Sequence, residues 1–86
     1  MDQPINYAMR SSDTHLMWEQ RFDKDFTYHA PKDESQIERY GRIRDMAKGM
    51  AWALAEMCPQ SREQSVALTH LEEMVFWANA SIARNE

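Results

Sequence analysis

Cysteine is almost absent from this sequence, since Cys58 is the only one among 86 residues. A single cysteine excludes an internal disulfide and is typical of proteins from a reducing compartment. A chain of this length forms one domain and buries a modest share of its surface when it folds alone. Small domains commonly supplement their core with disulfides, a metal ion or further chains, and the first of these is excluded here.

Metal-binding motifs are also missing. The histidines His15, His29 and His70 lie far apart in the sequence, and Cys58 has no CxxC or HxxxH partner. We therefore expect no metal site and no cofactor. Association between chains is then the remaining supplement to the core.

Long apolar runs and an excess of basic residues are lacking as well. No run approaches the roughly 20 apolar residues of a membrane span, and the N-terminus does not resemble a signal peptide, which predicts a soluble, cytoplasmic protein with no membrane partner. The chain has 10 Lys and Arg against 14 Asp and Glu, a net charge of -4. Because duplex DNA and RNA are bound largely through neutralised phosphates, this charge argues against a protein that binds either duplex. It is compatible with a small anion held in a local basic pocket.

Catalytic motifs do not occur. There is no G-x-S-x-G, no P-loop and no H-E-x-x-H, and the two glycines, Gly41 and Gly49, fall within a helical pattern. We therefore do not expect an enzyme. The remaining classes are a ligand-binding protein and a helical-hairpin interaction module that docks on a host protein.

Helical periodicity is what the sequence does contain. Residues 1–11 carry little pattern and are interpreted as a mobile leader. Ser12 or Asp13 can cap a short helix that runs through Phe22. Residues 23–34 lack a helical period and are predicted to form an ordered loop.

A long helix follows, with Asp33 or Ser35 as its candidate cap. Cys58 and Pro59 end it, because the residue before a proline is pushed out of the helical backbone region. Its apolar positions recur at spacings of three and four residues: Tyr40, Ile43, Ala47, Met50, Leu54 and Met57.

A second long helix begins near Arg62, because Ser61 and Gln64 fit the capping box S-x-x-E/Q. Its apolar positions repeat the same spacing: Leu68, Leu71, Val75, Ala78 and Ile82. Two helices of about 22 residues, each about 33 Å long, fold back on one another across the short link. The predicted fold is all-α, with a short N-terminal helix followed by a long antiparallel two-helix hairpin.

The apolar surface of this hairpin exceeds what one partner helix covers. The surplus consists of Met46 and Trp52 on the first long helix and Ala67, Met74, Phe76 and Trp77 on the second. Large exposed aromatic patches mark interfaces on soluble proteins, so we expect a homo-oligomer. In the alternative, Trp18 and Phe22 fold back and cover the surplus.

Basic residues crowd the first long helix, at Arg39, Arg42, Arg44 and Lys48. Such a group alone is most often a solvated face. The neighbouring residues 26–31 (FTYHAP) are rich in flat side chains. Since bases stack on aromatic planes and phosphates pair with guanidinium groups, the combination is suited to a nucleotide.

Three parts of the sequence resemble the phage anti-CBASS sponge proteins, which share a helical hairpin domain with a Thoeris anti-defence sponge. They are residues 26–31, residues 38–44 (ERYGRIR) and, most specifically, residues 61–84, which include SREQSVAL and LEEMVFWANA. The resemblance covers residues 21–86 and leaves residues 1–20 as an N-terminal extension. It implies a homo-hexamer that sequesters cyclic dinucleotides and cyclic trinucleotides, and so blocks CBASS anti-phage signalling in the cytoplasm of the infected bacterial host.

The resemblance also implies site residues. Those at a cyclic dinucleotide are Tyr28, His29, Pro31, Arg44 and Lys48. In the family the tyrosine stacks on a base, which matches Tyr28, and a basic residue meets the phosphate, which matches Arg44, or Lys48 if the register differs by one turn. Cyclic trinucleotides are held at a separate site where several chains meet, and Arg84 is the matching residue.

Overall fold

The computed structural model describes residues 12–86, which form three helices and no strand. Helix α1 spans Ser12–Phe26, α2 spans Glu34–Met57 and α3 spans Arg62–Asn85. The prediction of an all-α chain with a long hairpin of α2 and α3 is confirmed. The interpretation of residues 1–11 as a mobile leader lies outside the described residues.

Helix α1 is longer than predicted. The predicted helix ended at Phe22, and residues 23–34 were predicted to form a loop. That boundary is wrong, since the helix continues to Phe26. Trp18 and Phe22 stack with ring centroids 5.4 Å apart, and Phe26 extends the ladder at 6.2 Å. Aromatic side chains four residues apart lie on one helix face and stabilise the additional turn.

The start of α1 can be compared with the predicted helix cap and the predicted domain boundary. Ser12 and Asp13, the two candidate caps, both lie inside the helix, so the residue that precedes it falls outside the described part. The predicted division between residues 1–20 and 21–86 falls within α1, and it stays a prediction.

The start of α2 is fixed by Asp33, one of the two predicted caps. Its Oδ1 accepts a hydrogen bond from the backbone N–H of Gln36 at 2.9 Å. The Gln36 side chain returns to the preceding loop, where its Oε1 accepts from the N–H of Lys32 at 2.9 Å. The first of these bonds satisfies a donor that a helix start leaves free, and Gln36 is buried.

The turn between α2 and α3 forms half of the predicted capping box. Ser61 Oγ accepts from the N–H of Gln64 at 3.1 Å, as expected. The reciprocal bond from Gln64 is not formed, because its side chain donates instead to the carbonyls of Leu54, at 3.3 Å, and Cys58, at 3.1 Å. The carbonyl of Leu54 also accepts the N–H of Cys58 at 3.0 Å, so its bond from Gln64 is a second one. Through these two bonds Gln64 ties α3 to the end of α2.

The open end of the hairpin is closed by Glu86. Its carboxylate accepts two hydrogen bonds from the Arg39 guanidinium, at 2.6 and 2.7 Å, and one from Gln36 Nε2 at 3.1 Å. Paired bonds between guanidinium and carboxylate are strong and directional. The hydrogen bond from Arg39, followed by that from Gln36, lowers the pKa of Glu86 from 4.5 to about 2.

Between these ends, α2 and α3 bury little of their apolar surface. Ala47 is the one buried apolar residue among residues 12–86. Much of the predicted surplus is open, with Trp52 65%, Phe76 66% and Trp77 68% exposed. Phe22, which stacks on Trp18, leaves this surface uncovered, so the predicted alternative does not occur in the described part of the chain.

We predict that Ser61→Ala lowers the free energy of unfolding by about 1 kcal/mol, because the N–H of Gln64 loses its capping acceptor. Urea denaturation followed by circular dichroism measures this change. Ser65→Ala is the matched control, since Ser65 lies one turn further along α3 and is exposed. Equal stability of the two variants would contradict the capping role of Ser61.

We also predict a pH-dependent contribution from Glu86. Its pKa is about 2 in the folded protein against an ordinary value of 4.5, so the pairing with Arg39 stabilises fully above pH 4.5 and is lost as the pH falls towards 2. The difference in unfolding free energy between the parent chain and Glu86→Gln should therefore shrink over that interval. Glu38→Gln, an exposed carboxylate on α2, is the control, and a difference that stays constant with pH would exclude the pairing.

Candidate functional site

An open cavity of about 560 Å³ lies where the loop after α1 meets α2 and the last turns of α3. It is lined by Asp25, Thr27, Tyr28, His29, Pro31, Tyr40, Arg44, Phe76, Asn79, Ala80, Ala83 and Arg84. The structure thus brings together five of the six residues that the sequence analysis assigned to nucleotide binding. The exception is Lys48.

Tyr28 carries the most exposed aromatic group of this cavity. The residue is 84% exposed, against 66% for Phe76, which leaves an aromatic face open to a ligand. The loop that carries it is anchored by the next residue, because His29 Nε2 lies 2.6 Å from the carbonyl oxygen of Lys24 in the last turn of α1. A carbonyl only accepts hydrogen bonds, so Nε2 carries the proton in this contact. His29 therefore positions the loop, and Tyr28 projects from it.

Arg44 supplies a cation to the cavity. Within residues 12–86 its guanidinium takes part in no hydrogen bond or ion pair, and the residue is exposed. Its Nη2 lies 3.8 Å from the point that a Cβ on Gly41 would occupy. Long helical side chains point back along the preceding turn, and this one reaches toward the N-terminal end of α2, where the cavity lies. A guanidinium in this state is ready to bind an anion.

Arg84 is already engaged with α1. Its Nη2 donates to the carbonyl oxygen of Asp25 at 3.2 Å, and its Nη1 lies 3.8 Å from Asp25 Oδ1. A further bond of 3.4 Å joins Lys24 Nζ to Asn85 Oδ1. These contacts hold the end of α1 against the end of α3, so Arg84 shapes the cavity as well as lining it.

Lys48 lies in a neighbouring groove of about 510 Å³ between α2 and α3. That groove is lined by Arg44, Ala47, Lys48, Ala51, Leu68, Leu71, Glu72, Val75 and Phe76. Arg44 and Phe76 belong to both concavities, so the two adjoin each other. Lys48 is one helical turn farther from Tyr28 than Arg44 is.

Several lining residues were not predicted as site residues. Phe76, Asn79 and Ala83 approach the cavity from α3, and their spacing of three and four residues puts them on one helix face. Phe76 was predicted to belong to the apolar surplus, and Asn79 was assigned no role. Asp25 was missed because the end of α1 was placed too early, although its position four residues after Arg21 is a helical ion-pair signal.

Metal-binding groups and membrane-spanning helices were also sought among the described residues. No group of three or more His, Cys, Asp or Glu side chains between residues 12 and 86 is arranged to hold a metal ion. In the same range no helix is both long and apolar enough to cross a membrane.

Comparison with known families identifies the class of the protein. A family model described as Acb2/Tad1, hairpin domain, matches residues 19–83, which include most of the chain and nearly all of the cavity lining. The protein therefore belongs to the Acb2/Tad1 hairpin family, and the predicted resemblance to the anti-CBASS and Thoeris anti-defence sponges is confirmed. Membership of this family is consistent with a sponge-type role. Neither curated proteins nor solved structures gave a match.

Proposed function

We propose that this protein binds cyclic dinucleotides and cyclic trinucleotides and sequesters them, so that CBASS anti-phage signalling is blocked in the cytoplasm of the infected host. The observation that supports the proposal is one cavity that combines an exposed tyrosine ring with a guanidinium that has no partner within residues 12–86. Tyr28 would stack on a base and Arg44 would bind a phosphate. The protein acts by holding its ligand and performs no reaction on it.

The size of these interactions indicates how the site is completed. A stacked base contributes roughly 1 to 3 kcal/mol, and a hydrogen bond to a charged group contributes roughly 1.5 to 3 kcal/mol. Two copies of each give about 5 to 12 kcal/mol before the ligand's lost freedom is subtracted. A nanomolar dissociation constant corresponds to about 12 kcal/mol, so further contacts and a preformed pocket are needed.

Association of several chains would supply both. A two-fold dimer presents Tyr28 and Arg44 twice, which matches the two bases and two phosphates of a cyclic dinucleotide. The exposed side chains of Trp52, Phe76 and Trp77 are available for contacts between copies. Phe76 also lines the cavity, so a neighbouring chain packed there would stand beside the ligand. We propose a homo-hexamer, with Arg84 at a cyclic trinucleotide.

The competing function is an interaction module that docks on a host protein. Trp52 and Trp77 favour it, because both are largely exposed and neither lines the cavity. Native mass spectrometry of the purified protein with cyclic nucleotides separates the two functions. Only a sponge gains the mass of intact ligand in the absence of a protein partner.

We predict that Tyr28→Ala abolishes binding of cyclic dinucleotides, because the base loses its stacking surface, while the oligomer stays intact. Isothermal titration calorimetry measures the affinity and sedimentation measures the assembly. Tyr7→Ala is a control of the same chemistry outside the matched family region. Unchanged affinity in Tyr28→Ala would remove this tyrosine from the site.

We predict that Arg44→Ala weakens binding at least tenfold more than Lys48→Ala does, because Arg44 lines the cavity with Tyr28 and Lys48 lies one turn away. Both variants remove one positive charge from the same helix, so the general electrostatic effect is matched. The dissociation constants should be measured at two salt concentrations. A larger loss in Lys48→Ala would transfer the phosphate contact to that residue.

A further inference from the structure

A carboxylate lies among the cations of the cavity. Asp25, in the last turn of α1, is among the lining residues, and its side chain is 20% exposed. Its Oδ2 lies 3.5 Å from Arg21 Nε, and its Oδ1 lies 3.8 Å from Arg84 Nη1. Hydrogen bonds between charged groups are commonly 2.7 to 2.9 Å long, so both contacts are ion pairs of longer range.

The hydrogen-bonding capacity of this carboxylate is therefore unused. Within residues 12–86 the short bond from Arg84 goes to the backbone carbonyl of Asp25, and its two carboxylate oxygens accept no hydrogen bond. An ionised carboxylate only accepts, and it has about four lone-pair sites. Asp25 is consequently able to receive two donors from a ligand in the cavity.

Phosphate does not provide those donors. Its oxygens are anionic, and a carboxylate beside them costs binding free energy through repulsion. A nucleobase edge can provide them. Guanine presents two adjacent donors, N1–H and the N2 amino group, whereas adenine presents one donor, N6, beside the acceptor N1. The two oxygens of a carboxylate match the guanine edge, and the adenine edge leaves one of them facing an acceptor.

We propose that Asp25 recognises the guanine base of the ligand and gives the cavity a preference for guanine-containing cyclic oligonucleotides. The inference rests on the proposed function, in which Tyr28 supplies the stacking surface and Arg44 the phosphate contact. Asp25 adds the selection among bases. Arg21 and Arg84 flank the carboxylate and hold it at the cavity wall.

The substitution Asp25→Asn tests the proposal with little change of shape. The carboxamide has one acceptor and one donor side by side, which suits adenine and does not suit guanine. The substitution also removes a negative charge and loosens Arg84, but these effects act on the phosphates of every ligand. The ratio of dissociation constants for cyclic di-AMP and cyclic di-GMP therefore isolates base recognition.

The parent chain should bind cyclic di-GMP at least tenfold more tightly than cyclic di-AMP, a difference within the range of a good bidentate base contact. In Asp25→Asn the ratio should fall to about one or below. Asp23→Asn is the matched control, because Asp23 is exposed on the same helix and does not line the cavity. It should leave the ratio unchanged.

A ligand-side measurement gives the same test without altering the protein. Cyclic di-IMP lacks the exocyclic amino group of guanine, so the parent chain should bind it several-fold more weakly than cyclic di-GMP. Equal affinity for the two ligands, or an unchanged ratio in Asp25→Asn, would overturn the role of Asp25 and leave the sponge function standing. A parent chain that binds none of these ligands would instead overturn the sponge function itself.

Discussion

The packing of α2 against α3 is the constraint on which the rest of the structure depends. Two helices that lie side by side can bury one stripe each, and in this hairpin only Ala47 becomes a buried apolar residue within residues 12–86. On each side of this contact an apolar groove between the two helices stays open. Apolar side chains left in contact with water cost about 25 cal/mol for each Å², so this layer gains free energy when another apolar surface covers it.

The hairpin holds its geometry through polar contacts at its two ends. At the turn, Gln64 bonds the last carbonyls of α2, and at the open end Glu86 bonds Arg39 and Gln36. The open end is also where α1 is attached to α3 through Arg84 and Asp25. The cavity is formed at this junction, which explains why an anchoring arginine and a tyrosine-bearing loop share its wall.

The helices could be predicted from the sequence because the relevant interactions are local. Proline after Cys58 and the cap at Ser61 fix the turn, and the periodic apolar positions fix the hairpin. The last turn of α1 was missed because mixed charges at residues 23–25 obscured the ladder of Trp18, Phe22 and Phe26. The roles of Gln36, Gln64 and Glu86 could not be predicted, since their partners are distant in sequence or compete with a local bond.

In the candidate site, too, residues that cluster in the sequence could be predicted, and residues that only folding brings together could not. Tyr28 and Arg44 could be selected because aromatic and basic residues cluster in sequence, and the family resemblance supplied their roles. Asp25 and Asn79 required the structure, because the chain must fold before α1 and α3 meet. Phe76 lines the cavity and Trp77 does not. The spacing of apolar residues along α3 does not distinguish the two.

The position of Phe76 would link assembly to ligand binding in the proposed sponge. This side chain belongs both to the exposed apolar surface and to the cavity wall. In the proposed oligomer, a neighbouring chain that covers Phe76 also restricts the open side of the cavity, so the ligand contacts two chains at once. Because coupling free energies are reciprocal, a ligand that binds better to the assembled form must stabilise the assembly by the same amount. A sponge built in this way becomes a stronger oligomer as it fills, and its retention of the signal increases with the stability of its interfaces.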